Sequence, residues 1–327
     1  MNHDGINDFY NGKLFLLLTV PVFAALSFVA WRMGHFEPMG TRGGFLFGGL
    51  QSLLTSGPQS IVASVAVNVG AALMLHLLNK VFTFVRTYTF IAASSFLVLQ
   101  GAMPVVSANY YSGSAMCMAT LLLAFILFGS YQQSGNSQRS SYLIFTLLAA
   151  CCTFMYSAVV LIVAFAIGFA QMRAMNLRGF LALLMGLATP FWILLGLGVV
   201  DVGSFRLPEF VRLQNILDIP QAPVVIFSIV GVALLTLVLT VVNLLTIFNY
   251  RLQTRVYNAF FTTLATLSVI MMVVDFNNIL IYVPMLNMCL AIQVAHVFTI
   301  SKFAKKHFIF SAGLVVAAVV YVANFLL

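Results

Sequence analysis

Charge is confined to short gaps between long apolar runs, and that spacing decides what this chain can fold into. Of 327 residues, 62% are hydrophobic and only 7% are Asp, Glu, Lys or Arg. A soluble domain carries roughly 25% charged residues. So few charges cannot cover a water-exposed surface, and most of the outside must face lipid. Each spanning helix needs roughly 20 apolar residues to cross a hydrocarbon core of about 30 Å. The runs predict an all-α, polytopic transmembrane helical bundle of about eleven spans. They form a single transmembrane domain over 1–327, with no room for a soluble domain on either side.

The apolar runs place spans at Leu14–Trp31, Ser60–Leu78, Tyr88–Val106 and Ser114–Gly129. The first run lacks a small-x-small cleavage site and reads as a retained helix rather than a signal peptide. A long stretch, Tyr142–Met172, is too long for one untilted span and short for two. Its weak break at Thr153–Ser157 predicts two short helices meeting in a tight turn. Further spans follow at Gly179–Val200, Val224–Tyr250, Ala259–Val274, Ile279–Ile300 and Phe308–Leu327. Pro190 and Pro284 lie inside spans and predict helix kinks, because proline frees the carbonyl one turn back. Two connecting segments, 32–59 and 201–222, are longer than turns. The first contains an apolar piece, Phe45–Leu54, too short to cross and therefore interfacial or re-entrant. In the second, Leu207, Phe210, Leu213 and Leu217 share a helical face opposite Arg212 and Asn215, the pattern of a helix lying on the membrane plane, although Ile216 falls on the polar side.

Basic residues set the expected orientation. With Tyr142–Met172 counted as two spans, Lys13, Lys80, Arg86, Arg139, Arg173, Arg178, Arg251, Arg255, Lys302, Lys305 and Lys306 fall on one side. Arg32, Arg42, Arg206 and Arg212 fall on the other, which accounts for all 15 Lys and Arg. Lys and Arg collect in cytoplasmic loops, so the N-terminus is expected inside and the C-terminus outside, in the periplasm. Counting the stretch as one span would put Lys80 and Arg86 outside. The net charge of +8 is thus a topological signal. No basic run or stripe is present to suggest a nucleic-acid partner.

No Asp, Glu, Lys or Arg lies deep in an expected span. Intramembrane charges mark ion paths, proton relays and sensors, so a pump or voltage sensor is not indicated. Asn68, Gln100, Asn243, Asn287 and Gln293 are intramembrane polar residues, expected to form helix–helix hydrogen bonds. His76 and His296 lack a third ligand for a metal site. Cys117, Cys151, Cys152 and Cys289 sit in apolar runs as small packers, so no metal, cofactor or disulfide framework is expected. Glu37, Asp201, Glu209, Asp218 and Asp275 all fall on the outside. Glu37, following the first span, is the candidate catalytic base. Arg32, Arg42, Arg206 and Arg212 face the same side and form a candidate site for a lipid phosphate, which arginine binds bidentately.

Glu37 in the first outside loop, followed by the apolar Phe45–Leu54 piece, resembles in layout the membrane glycosyltransferases that use polyprenyl-phosphate sugars. A broader resemblance rests on Asn79-Lys80 and the two-part Tyr142–Met172 stretch. It rests also on Gly186-Leu-Ala-Thr189-Pro190 after Arg178, on Arg251–Tyr257 (RLQTRVY), and on Pro284. Together these features resemble a family of multi-spanning proteins of Bacteroidetes-type Gram-negative bacteria that has no assigned activity. The family's frequent label as a carotene-cleaving oxygenase is not supported, since five histidines, three of them in loops or tails, do not supply a four-histidine iron site. The resemblance implies an inner-membrane location. The expectation is a protein of cell-envelope biogenesis that handles or accommodates a lipid, a polyprenyl-linked intermediate among the candidates. The alternatives are a non-catalytic scaffold subunit held by other membrane subunits, and an uncoupled transporter or flippase. Membrane lipids are the expected partners in every case.

Overall fold

The structure, a computed structural model, describes residues 9–33, 43–48, 58–85, 87–109, 111–132, 137–205, 222–246, 251–299 and 306–326. These residues are helical almost throughout and include no strand. In chain order the helices are α1 (Lys13–Met33), α2 (Pro58–Phe82), α3 (Ile91–Gly101), α4 (Pro104–Asn109), α5 (Tyr111–Gln132) and α6 (Ser137–Phe154). They continue with α7 (Val159–Gln171), α8 (Leu177–Gly196), α9 (Ala222–Thr246), α10 (Leu252–Val274), α11 (Ile279–Thr299) and α12 (Lys306–Leu326). Eight of the described helices (α1, α2, α5 and α8 to α12) are long and apolar enough to cross a membrane, so the chain is a multi-pass helical membrane protein. Hydroxyls within these helices, such as those of Thr120, Thr236, Thr263 and Ser268, donate to carbonyls of their own helix. That satisfies them where no water is present.

Two expected spans are discontinuous. The run Tyr88–Val106 divides into α3 and the single turn and a half of α4. Pro104 has no N–H to give the Gln100 carbonyl, which accepts instead from the Met103 and Ala102 amides. The run Tyr142–Met172 divides at Met155, which is extended (φ −144°, ψ 114°) between α6 and a 3-10 turn, Tyr156–Ala158. Of the expected interfacial segments, 43–48 is described and is not helical. The expected surface helix around Leu207–Leu217 lies outside the described residues.

Helix α11 occupies the middle. Its most apolar stretch is 94% buried, against 6% for α12. It packs on α3, α5, α9 and α10, while α2 lies on α5, α6 on α8, and α7 on α10. Close approaches use glycine. A Cβ on Gly113 of α5 would stand 2.8 Å from the Ile281 carbonyl of α11 and 3.2 Å from that of Leu280. Leu280 O is the carbonyl that Pro284, four residues on, leaves without its helical donor. Gly186 of α8 approaches Tyr142 O of α6 in the same way, at 2.7 Å.

Side-chain contacts gather the loops at two ends. At one end Tyr10 packs on Phe298 and Phe310, and the Phe90 amide donates to Asn11 O. Tyr257 stacks on Phe128 and meets Phe82 and Tyr131 edge-on there. At the other end Phe45 packs on Tyr156 and Phe205, and Phe205 on Phe191. The described cations Lys13, Lys80, Arg139, Arg173, Arg178, Arg251, Arg255 and Lys306 belong to helix ends or turns of the first end. Arg32, Asp201 and Asp275 belong to the second.

Candidate functional site

Three arrangements place chemistry, and they differ in what each can do. The first lies inside the bundle, where α3 breaks. Gln100 ends α3 and its Nε2 donates to Asn68 Oδ1 of α2 at 3.0 Å, while Asn287 Nδ2 of α11 donates to Gln100 Oε1 at 3.0 Å. Ser114 Oγ of α5 donates to the same Asn68 oxygen at 2.9 Å, and Asn68 Nδ2 donates to Ser64 O at 2.9 Å. Ser64 Oγ in turn reaches Ser107 O of α4 at 2.7 Å. All five of these side chains are fully buried. Lower in the bundle Asn243 Nδ2 of α9 donates to Gln293 Oε1 of α11 at 2.7 Å. The five intramembrane amides therefore bond helix to helix and do not line a polar cavity. In hydrocarbon such bonds are interhelical glue.

The second arrangement is at the end that carries Arg32. Tyr282 O–H donates to Asp275 Oδ2 at 3.0 Å, and Asn278 Nδ2 lies 3.0 Å from both carboxylate oxygens. Ser157, in the break between α6 and α7, lies close to the Tyr282 hydroxyl. Nearby, the amides of Phe45, Leu46 and Phe47 donate to the Cys152 and Thr153 carbonyls that end α6. Only glycine fits at position 44, because a Cβ there would overlap the Thr153 backbone. These contacts tie the first long loop, the α6–α7 break and the α10–α11 turn into one layer. The work is structural: the carboxylate and the helix end are both given donors.

The third arrangement is a groove of about 510 Å³ on the outward-facing side of α1 and α2. Its walls are Ala24 and Phe28 of α1 and Ile61, Val65, Val69 and Leu73 of α2. From Ile61 to Leu73 it follows about 18 Å of helix at 1.5 Å per residue. It begins at the Arg32 end. There the Arg32 guanidinium stands 5.9 Å from the ring centre of Phe28 and 5.7 Å from that of Trp31. Arg32 is exposed.

Of the residues singled out from sequence, Glu37, Arg42, Arg206 and Arg212 lie outside the described residues. Arg32 lies one helical turn beyond Phe28, a groove wall residue, with its guanidinium 5.9 Å from that ring. Pro190 is buried within α8, which runs through it, and the preceding Thr189 donates its hydroxyl to Met185 O at 2.6 Å and meets Tyr142 O–H at 3.2 Å. Pro284 is buried in α11 opposite Gly113. Asn79 has a role that its sequence did not reveal. It accepts from the Val85 amide at 3.0 Å and donates to Thr87 O at 3.2 Å, closing a turn in which Thr83 has a positive φ of 47°. His296 is fully buried in α11, and among the described residues no cluster of His, Cys, Asp and Glu is arranged to hold a metal. No protein-family model matches the chain, and neither a curated protein sequence nor a solved structure is detectably similar to it.

Proposed function

We propose that this chain is an inner-membrane protein of cell-envelope biogenesis that accommodates a lipid in the groove between α1 and α2. The observation that carries the reading is the groove itself, apolar along its walls, open to the hydrocarbon side and headed by a cation. A lipid chain fits such walls because it exchanges one apolar neighbour for another, with shape rather than water as the selecting factor. A polyprenyl-linked intermediate and an ordinary phospholipid both meet that description. The buried, mutually bonded amides favour lipid accommodation, or the second reading of a scaffold subunit, over a flippase with a polar path. The resemblance to the Bacteroidetes-type family agrees with this placement.

The reading includes eleven crossings with the N-terminus inside. Counting α3 with α4 as one crossing, and α6 and α7 as two, puts residues 45, 156 and 205 on one side. Phe45 packs against both of the others. The same count puts the eight described cations of the opposite end together, in accord with the positive-inside tendency. A reporter active only in an oxidising compartment is expected to work when fused after Ser107, and activity of a cytoplasm-specific reporter there would sink the topology.

Lipid binding is tested by native mass spectrometry of the protein released from mild detergent. Wild type is expected to keep a lipid. Ala24→Phe with Ala66→Phe, both on the groove wall, is expected to release it, and equal retention by the double variant overturns the reading.

A further inference from the structure

We infer that the mouth of the α1/α2 groove selects a phospholipid with a net negative headgroup, Arg32 pairing with its phosphate while one hydrocarbon chain lies along α2. This deepens the lipid reading above and rests on it. Arg32 stands in the last turn of α1, at the level where a helix of 21 residues meets the headgroups. Its guanidinium lies 5.9 Å from the ring centre of Phe28, which lines the groove, and 5.7 Å from that of Trp31. Stacking on aromatic faces leaves the N–H edges of a guanidinium free to bond phosphate oxygens. Among the described residues no acidic side chain lines the groove. A zwitterionic headgroup brings its own ammonium, which competes for the phosphate and is repelled by Arg32. An anionic headgroup brings none.

The chain's two tryptophans give a local readout. Trp192, on α8, is 79% exposed, so Trp192→Phe leaves Trp31, beside Arg32, as the sole tryptophan. Reconstituted into vesicles, this variant is titrated with phosphatidylglycerol or phosphatidylcholine carrying bromine high on the acyl chain. Trp31 quenching is expected to show roughly a five-fold preference for phosphatidylglycerol, the effect of one cation near the surface. Adding Arg32→Gln is expected to abolish the preference, while Arg32→Lys keeps most of it. An unchanged preference in Arg32→Gln overturns the inference. Ala24→Phe with Ala66→Phe is the separate arm. It lowers quenching by both lipids if the groove holds a chain, and quenching equal to wild type there overturns the underlying lipid reading instead. Arg32 is exposed, and its variants are expected to elute as monodisperse as the parent.

Discussion

Replacing Gln100 by leucine is expected to destabilise the bundle by about 1–3 kcal/mol, the range for leaving buried polar groups unpaired. The side chain is the middle link of three helices. Its loss removes a donor from Asn68 of α2 and the acceptor of Asn287 of α11 together. Asn68 Oδ1 keeps Ser114, but Asn287 keeps nothing, since its own Oδ1 already has no partner among the described residues. Asn287→Leu in the same background is therefore expected to recover part of the loss, because replacing both partners by apolar groups leaves no orphan. Detergent-induced unfolding of the purified protein measures both variants. A double variant no more stable than Gln100→Leu alone would mean that the amides do not bond in this order.

A single methyl at Gly113 is expected to cost more than most side-chain truncations in this protein, about 2–3 kcal/mol with a fall in folded yield. The atom it meets, the Ile281 carbonyl, is 2.8 Å from the ideal Cβ and belongs to a backbone that cannot rotate away. Gly129, on the same helix α5, meets nothing within 4 Å. Gly129→Ala is expected to be neutral or to stabilise by up to about 1 kcal/mol, since alanine is the better helix former. Opposite signs at two glycines of one helix would show that the α5–α11 approach, not helix propensity, sets the effect. The same thermal or detergent unfolding series reads it.

Much of the helical layout was legible in the sequence, because hydrocarbon imposes length and composition on anything that crosses it. The break at Met155 was foreshadowed by the length of Tyr142–Met172. The break at Ala102–Met103 was not, although Pro104 was visible. A proline near the end of an apolar run reads as a terminus, and only the partners of Gln100, from α2 and α11, show that the chain turns there within the bundle. The amides were legible as a set but not as a connected chain, since their bonds join positions as distant as Gln100 and Asn287. The groove was illegible: Ala24, Ala66 and Val69 look like any lipid-facing residues until two helices splay. Arg32 could be listed as a cation on the outer side, but its place at the head of that groove depends on where Phe28 faces.

Helix α11, the most enclosed element of the bundle, is also among the last to be synthesised. The ribosome delivers α1 through α10 before the segment that fills their centre exists. Until Ile279–Thr299 leaves the translocon, the Gln100 oxygen has no Asn287 donor, and the concave faces of α3, α5 and α10 have lipid or one another for company. Early helices can pair with one another, α6 on α8 and α2 on α5, while their shared centre stays unfilled. Closure is then a late event of biogenesis, and a nascent chain stopped before α11 has neither its polar tie nor its hub.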